Sequence, residues 1–197
     1  MRVVTALRSA RRGGSVAVEL DGEAWRTLPL EAVVGAGLSV GCSLDRGRAR
    51  TLARERRRLA AMDVAVRSLG RRDRSRAELD ARLAARGIAA QQREATVGVL
   101  ERAGLVDDGR FARSRAESMA ARGYGDAAIR ADLEQRGVEG DAAAAALDAL
   151  EPEASRVARH AAKLGGGLRA ARILARRGFD ADALEGLIAE AYGTEIG

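Results

Sequence analysis

The sequence predicts a mainly α protein: three tandem three-helix repeats forming an elongated, curved array, preceded by a small N-terminal β-rich module. Three observations predict it. A short pattern of leucine, two variable residues, arginine, glycine and an apolar residue occurs at 83–88, 133–138 and 174–179, with its glycines at Gly87, Gly137 and Gly178. Apolar residues around each copy recur at helical spacing. Finally, 47% of the 197 residues are apolar but only 3% are aromatic. A core so poor in bulky anchors comes from close helix packing around Leu, Ile and Val, which favours a thin array over a thick globule.

The module occupies residues 1–44. Residues 3–7 are a short β-like run, and Val16, Val18 and Leu20 alternate with Ala17 and Glu19, the period of a half-buried strand. Asp21-Gly22 is the two-residue signal for a type I′ hairpin, so residues 23–28, with Trp25, form the return strand. Pro29 then opens a helical turn that Gly35 and Gly37 close.

From Arg46 the pattern is helical. Leu52, Leu59, Met62, Val66 and Leu69 form one stripe of a long helix, whose other faces carry Arg46, Arg48, Arg50, Arg54, Arg56, Arg57 and Arg58. This long helix and the first repeat span residues 45–106, the second repeat 107–150 and the third 151–197. Within each copy of the pattern the leucine is a core position, the arginine complements the helix dipole, and the glycine ends the helix in a left-handed conformation. Leu79, Ile129 and Ala170 lie four residues earlier on the same face. Ser75, Gly125 and Gly166 stand where each helix starts, and Ser75 with Glu78 is a capping box. Val97, Leu147 and Ile188 mark the apolar face of the following helix.

Catalysis finds little support. His160 is the single histidine and Cys42 the single cysteine, so no His pair or intrachain disulfide can form. Both read as structural, as does the Gly165-Gly166-Gly167 joint. Asp107 and Asp108 serve as N-cap and first-turn acids without a metal. There is no phosphate-binding loop, and no catalytic residue, metal or cofactor is expected. Neither a signal peptide nor a membrane span of about 18 apolar residues is present. A soluble cytoplasmic monomer is the expectation.

Charge carries the functional signal. Residues 1–106 hold 21 basic and 12 acidic side chains, and the rest hold 13 and 16. Any surface for a polyanion therefore belongs to the first half. Lys163 is the only lysine, and arginine's planar fork suits phosphates and carboxylates. Only Trp25 and Tyr124 could stack on bases, which disfavours a single-strand stacking platform. Two readings of the residues stay open: a basic surface for an acidic protein groove, or a stand-alone DNA-binding protein.

The order of motifs from residue 62 to 150 resembles the RecX family of bacterial recombination regulators. Arg74-Ser75-Arg76-Ala77-Glu78-Leu79 with Leu83, Arg86, Gly87 and Ile88 is similar to the family's opening repeat. Gly104-Leu105-Val106-Asp107-Asp108, followed by Arg110-Phe111-Ala112, resembles its aspartate–phenylalanine helix start. Gly123-Tyr124-Gly125, then Ile129, Leu133, Arg136, Gly137 and Val138, resembles its middle repeat. The third repeat is similar through Leu174, Arg177, Gly178 and Phe179, and the N-terminal hairpin resembles the extension of longer members.

The resemblance implies a non-catalytic negative regulator of the RecA recombinase. Such a protein binds the groove of the RecA–single-stranded-DNA filament, with single-stranded DNA touched weakly or indirectly, and suppresses ATPase, strand-exchange and co-protease activities. The resemblance brings no residue-level contact set, so charge and helix face select one: Arg71, Arg72, Arg76, Arg82 and Arg86 in the first repeat, Arg110, Arg113 and Arg122 in the second, and Arg172, Arg176 and Arg177 in the third.

Overall fold

The computed structural model describes residues 1–10 and 13–193. Among them are four strands and ten helices, so the expected class, mainly α behind a small β module, is observed. The chain divides into two compact units, one of residues 1–70 and 82–98, the other of residues 71–81 and 99–197.

In the first unit, β1 (Arg2–Ser9), β2 (Ser15–Leu20), β3 (Glu23–Pro29) and β4 (Ser43–Leu44) form an antiparallel sheet in the order β3-β2-β1-β4. The predicted hairpin is present, with Leu20 opposite Glu23 and positive φ at both Asp21 (53°) and Gly22 (85°), as a type I′ turn requires. Asp21 is held there because its carboxylate accepts from the Val3 N–H at 2.8 Å and from Arg2 Nε at 3.2 Å. Val4, Val16, Val18, Leu20 and Leu28 gather on one side of the sheet. Ala32 and Val33 of α1 (Leu30–Gly35) and Leu52 of α2 (Arg46–Leu69) complete that core, with Trp25 and Cys42 half-buried at its margin.

Helix α2 corrects one expectation. The apolar stripe through Leu52, Leu59, Met62, Val66 and Leu69 holds for the first half only. Farther along, Ala61, Ala65 and Ser68 are buried while Val66 is 49% exposed. At about 100° per residue these three lie nearly opposite Leu52 and Leu59. The helix thus changes its buried face midway. Alanine and serine carry too little apolar bulk for a sequence pattern to reveal that.

Residues 82–98 of α3 (Arg76–Ala84), the following turn and α4 (Ala90–Arg102) complete the first unit. Leu83 is fully buried, and its carbonyl accepts from the Ile88 N–H at 3.3 Å around Gly87, whose φ is 72°. This six-to-one bond is the Schellman ending that the repeated pattern predicts.

The second unit contains α5 (Asp108–Ala121), α6 (Asp126–Gln135), α7 (Asp141–Asp148), α8 (Glu153–Leu164), α9 (Gly167–Arg176) and α10 (Ala181–Gly193). Phe111, Ala116, Met119, Ile129, Leu133 and Leu147 form the core of α5 to α7. Val157, Ala161, Ala170, Leu174, Phe179 and Leu184 form that of α8 to α10. The same turn recurs twice here: Val138 N–H donates to the Leu133 carbonyl at 2.9 Å and Phe179 N–H to that of Leu174 at 3.2 Å.

One joint links consecutive repeats and is used twice. At the start of α3, Ser75 Oγ donates to the Arg136 carbonyl at 2.6 Å, and the Arg76 N–H donates to the Asp108 carboxylate at 2.7 Å. At the start of α6, the Gly125 N–H donates to the Arg177 carbonyl at 2.9 Å, and the Asp126 N–H to the Glu153 carboxylate at 2.7 Å. Each pair sets the start of a middle helix, through the Ser75 hydroxyl or the Gly125 N–H and through the first helical N–H, against the glycine turn and the acidic first residue of the next repeat. The approach is so close that a Cβ on Gly125 would collide with the Gly178 carbonyl.

Candidate partner-binding surface

The second joint is locked by a buried cation. Arg156, 1% exposed, donates through Nε to the Glu151 carbonyl at 2.9 Å and through Nη1 to the Tyr124 carbonyl at 3.2 Å. It also pairs with Asp126 and covers the Phe179 ring at 5.8 Å. Beside it His160 is 6% exposed, with Nε2 3.1 Å from the Ala120 carbonyl oxygen, and burial pushes its pKa below the ordinary value. It is surrounded by packing groups, in keeping with the structural role expected of it.

A charge network runs along the first joint. Glu78 takes Arg72 at 3.2 Å and Arg136 at 2.6 Å, and Arg136 shares Asp132 with Arg115, which grips both carboxylate oxygens at 2.7 and 2.8 Å. Hydrogen bonds from Arg115, then from Arg136, hold the Asp132 carboxyl far below the usual carboxylate range. Asp108 is shifted the other way, because burial outweighs the N–H it accepts from Arg76.

These contacts sort the arginines chosen from the sequence. Arg72 belongs to the network, and Arg76 pairs with Glu101 at 2.5 Å. Arg110 hydrogen-bonds the Gly104 carbonyl at 3.0 Å. Arg71, Arg86, Arg113, Arg172 and Arg176 are exposed, and Arg82 is half-buried; within the described residues no ion pair engages any of the six. Arg122 donates to the Ser118 carbonyl at 3.2 Å and lies over the Tyr124 ring at 5.7 Å, and Nη1 of Arg177 would stand 3.0 Å from a Cβ placed on Gly123. Tyr124 is 37% exposed and lines a shallow cleft with Arg122, Met119 and Ala128.

Sequence reasoning missed Arg169, which is exposed three positions before Arg172 and continues the Arg172–Arg176 face of α9. Its spacing was the available signal. Arg115, Asp132 and Arg156 were missed too; their partners are remote in sequence. No group of three or more His, Cys, Asp or Glu among the described residues could hold a metal ion. No helix there is long and apolar enough to cross a membrane.

Comparison with known proteins identifies the fold and the family. Residues 61–100 match the model of the RecX first three-helix domain, and residues 107–147 that of the second. The regulatory protein RecX of Stenotrophomonas maltophilia is 39% identical over 126 residues, 59% of this chain and 77% of the relative. That of Chromohalobacter salexigens is 39% identical over 139 residues, 66% of this chain and 91% of the relative. The chain belongs to the RecX family. A crystal structure of a regulatory protein RecX superposes with a TM-score of 0.81 at 20% identity, covering 95% of this chain and 98% of the other. RecX from Lactobacillus salivarius gives 0.58 at 19% identity, covering 68% and 96%. At such identities the likeness concerns the fold alone.

Proposed function

We propose that the chain is a non-catalytic negative regulator of RecA. It binds the groove of the RecA–single-stranded-DNA filament as one copy and suppresses ATPase, strand-exchange and co-protease activities in the cytoplasm. RecX membership supports the role. The observation that carries the surface is the set of exposed arginines that make no ion pair among the described residues: Arg71, Arg113, Arg172 and Arg176 in the second unit and Arg86 in the first. Charged side chains unused by their own fold are the ones available to a charged partner. Arg110, Arg122 and Arg177 add to the second-unit set, whereas Arg72 and Arg76 divide their charge between partner and fold.

RecA-dependent ATP hydrolysis on single-stranded DNA tests the reading. The chain should inhibit at amounts well below those that cover the DNA, and Arg172→Glu with Arg176→Glu should weaken inhibition about tenfold or more. A charged contact worth about 1.4 kcal/mol suffices for that factor. If inhibition required enough of the chain to cover the DNA, sequestration of DNA would be its cause and the reading would fail. Arg76→Glu is the wrong probe, since it also breaks the pair with Glu101.

A further inference from the structure

A second basic surface lies in the first unit, on α2, and is made of residues other than those considered above. Arg46, Arg50, Arg54 and Arg57 follow at intervals of four, four and three. Helix geometry puts them within an arc of about 80° along about 16 Å. All four are exposed. Arg54 has Glu55 at 3.6 Å, while within the described residues Arg46, Arg50 and Arg57 make no ion pair. Of the acids nearest the row, Asp45 caps the helix and pairs with Arg48, and Glu55 is held more closely by Arg58, at 2.8 Å, than by Arg54. Gly47, Ala49 and Ala53 flank the row, so nothing bulky stands between it and an approaching chain.

The row works against its own helix. Cations at a helix N-terminus oppose the macrodipole, typically by about 0.3–1 kcal/mol each, yet α2 opens on Arg46 with no acid in its first turn. The helix dipole therefore gives no reason for Arg46 to be where it is.

We propose that the row binds the phosphodiester backbone of a nucleic-acid strand without regard to base sequence. Its charges are evenly stepped at about 6 Å, close to the separation of neighbouring phosphates on an extended strand, and each is a fork that can hold two phosphate oxygens. α2 contains no aromatic residue, so bases find no stacking platform and the contact is to the backbone. This inference stands apart from the filament reading, because it concerns other residues and requires no RecA.

The test measures anisotropy of labelled oligo(dT) and of a mixed-sequence duplex with the full chain alone, from about 50 to about 200 mM salt. Four phosphate contacts give a log–log salt slope of about −3 on the single strand and about −3.6 on the duplex, which weakens single-strand binding about 50-fold over that range. Combined Arg46→Gln, Arg50→Gln and Arg57→Gln should reduce the steepness by about 2 and leave the circular dichroism spectrum unchanged. Lysine at the same positions should keep it. Neutralising Arg169, Arg172 and Arg176 removes equal charge from the second unit and should leave most of the slope. An unchanged slope in the α2 glutamine variant overturns the proposal. So does an equal loss from the second-unit variant, which would mean that net charge alone binds, or competition by polyglutamate matching that by oligo(dT) at equal charge, which would make the partner an acidic polypeptide.

Discussion

The Ser75 hydroxyl accepts from the Glu78 N–H at 3.1 Å and donates to the Arg136 carbonyl at 2.6 Å, tying the start of one helix to the end of another 61 residues away. It is at once the cap of α3 and a bond of the first joint. The capping box is only half made, because the Glu78 carboxylate turns to Arg72 and Arg136. Ser75→Ala should cost about 1–3 kcal/mol, more than the roughly 1 kcal/mol of a lost cap, since a carbonyl in the joint also loses its donor. Urea unfolding midpoints measure this; a loss no greater than that of an ordinary surface cap would remove the joint contribution.

Gly125 has an ordinary negative φ of −85°, so alanine fits its backbone and the whole penalty is steric. Gly125→Ala drives a methyl into the Gly178 carbonyl and should cost about 1–3 kcal/mol. Gly186, inside α10, meets nothing within 4 Å. Gly186→Ala should instead stabilise by about 0.5–1 kcal/mol through helix propensity. Opposite shifts of the two melting temperatures are expected, and equal shifts would contradict the close approach at the joint.

Arg156→Met keeps the side-chain volume but strips donors from two carbonyls and the partner from Asp126. A loss of about 3 kcal/mol is expected. Double-mutant cycles with Asp126→Asn should show coupling above about 0.5 kcal/mol; strict additivity would show the pair to be idle.

Stability should fall in two steps as pH drops. The pKa of buried His160 is below its ordinary value of 6.5, so the neutral ring is favoured by the fold. Its contribution is complete above that ordinary value and is lost as pH falls through it toward the lowered one. The Asp132 carboxyl is depressed by Arg115 and Arg136, and its contribution is lost only below about pH 4. Thermal melts at about pH 7.5 and 5.5 should differ for the natural chain and much less for His160→Gln. An identical difference in both would exclude His160 as the source of the first step.

The three glycine turns were legible because a leucine, an arginine and a glycine at fixed spacing each answer a local demand of a helix end. The hairpin at Asp21-Gly22 was legible for the same reason. Local patterns could not show the switch of buried face along α2, which is carried by Ala61, Ala65 and Ser68. Nor could they show that Asp108 and Glu153 cap another repeat's helix, since that depends on segments remote in the chain coming together. Arg156 left no local mark, since it stands one position before Val157 and outside the helical spacing of Val157, Ala161 and Leu164. The chosen partner-binding arginines were legible as charges, but which of them the fold consumes was not, because Glu78 and Glu101 had to be placed first.

One consequence follows from the residue that opens α2. α5 and α8 each begin on a carboxylate that receives the middle helix of the preceding repeat, whereas α2 begins on Arg46. In the last repeat, Gly166 and Gly167 hold φ values of 69° and 67°, unlike the −85° of Gly125. A fourth copy added by gene duplication would therefore find a like-charged doorstep before the first repeat and a misdirected backbone after the third. Both places would have to mutate before another module could dock through the same joint.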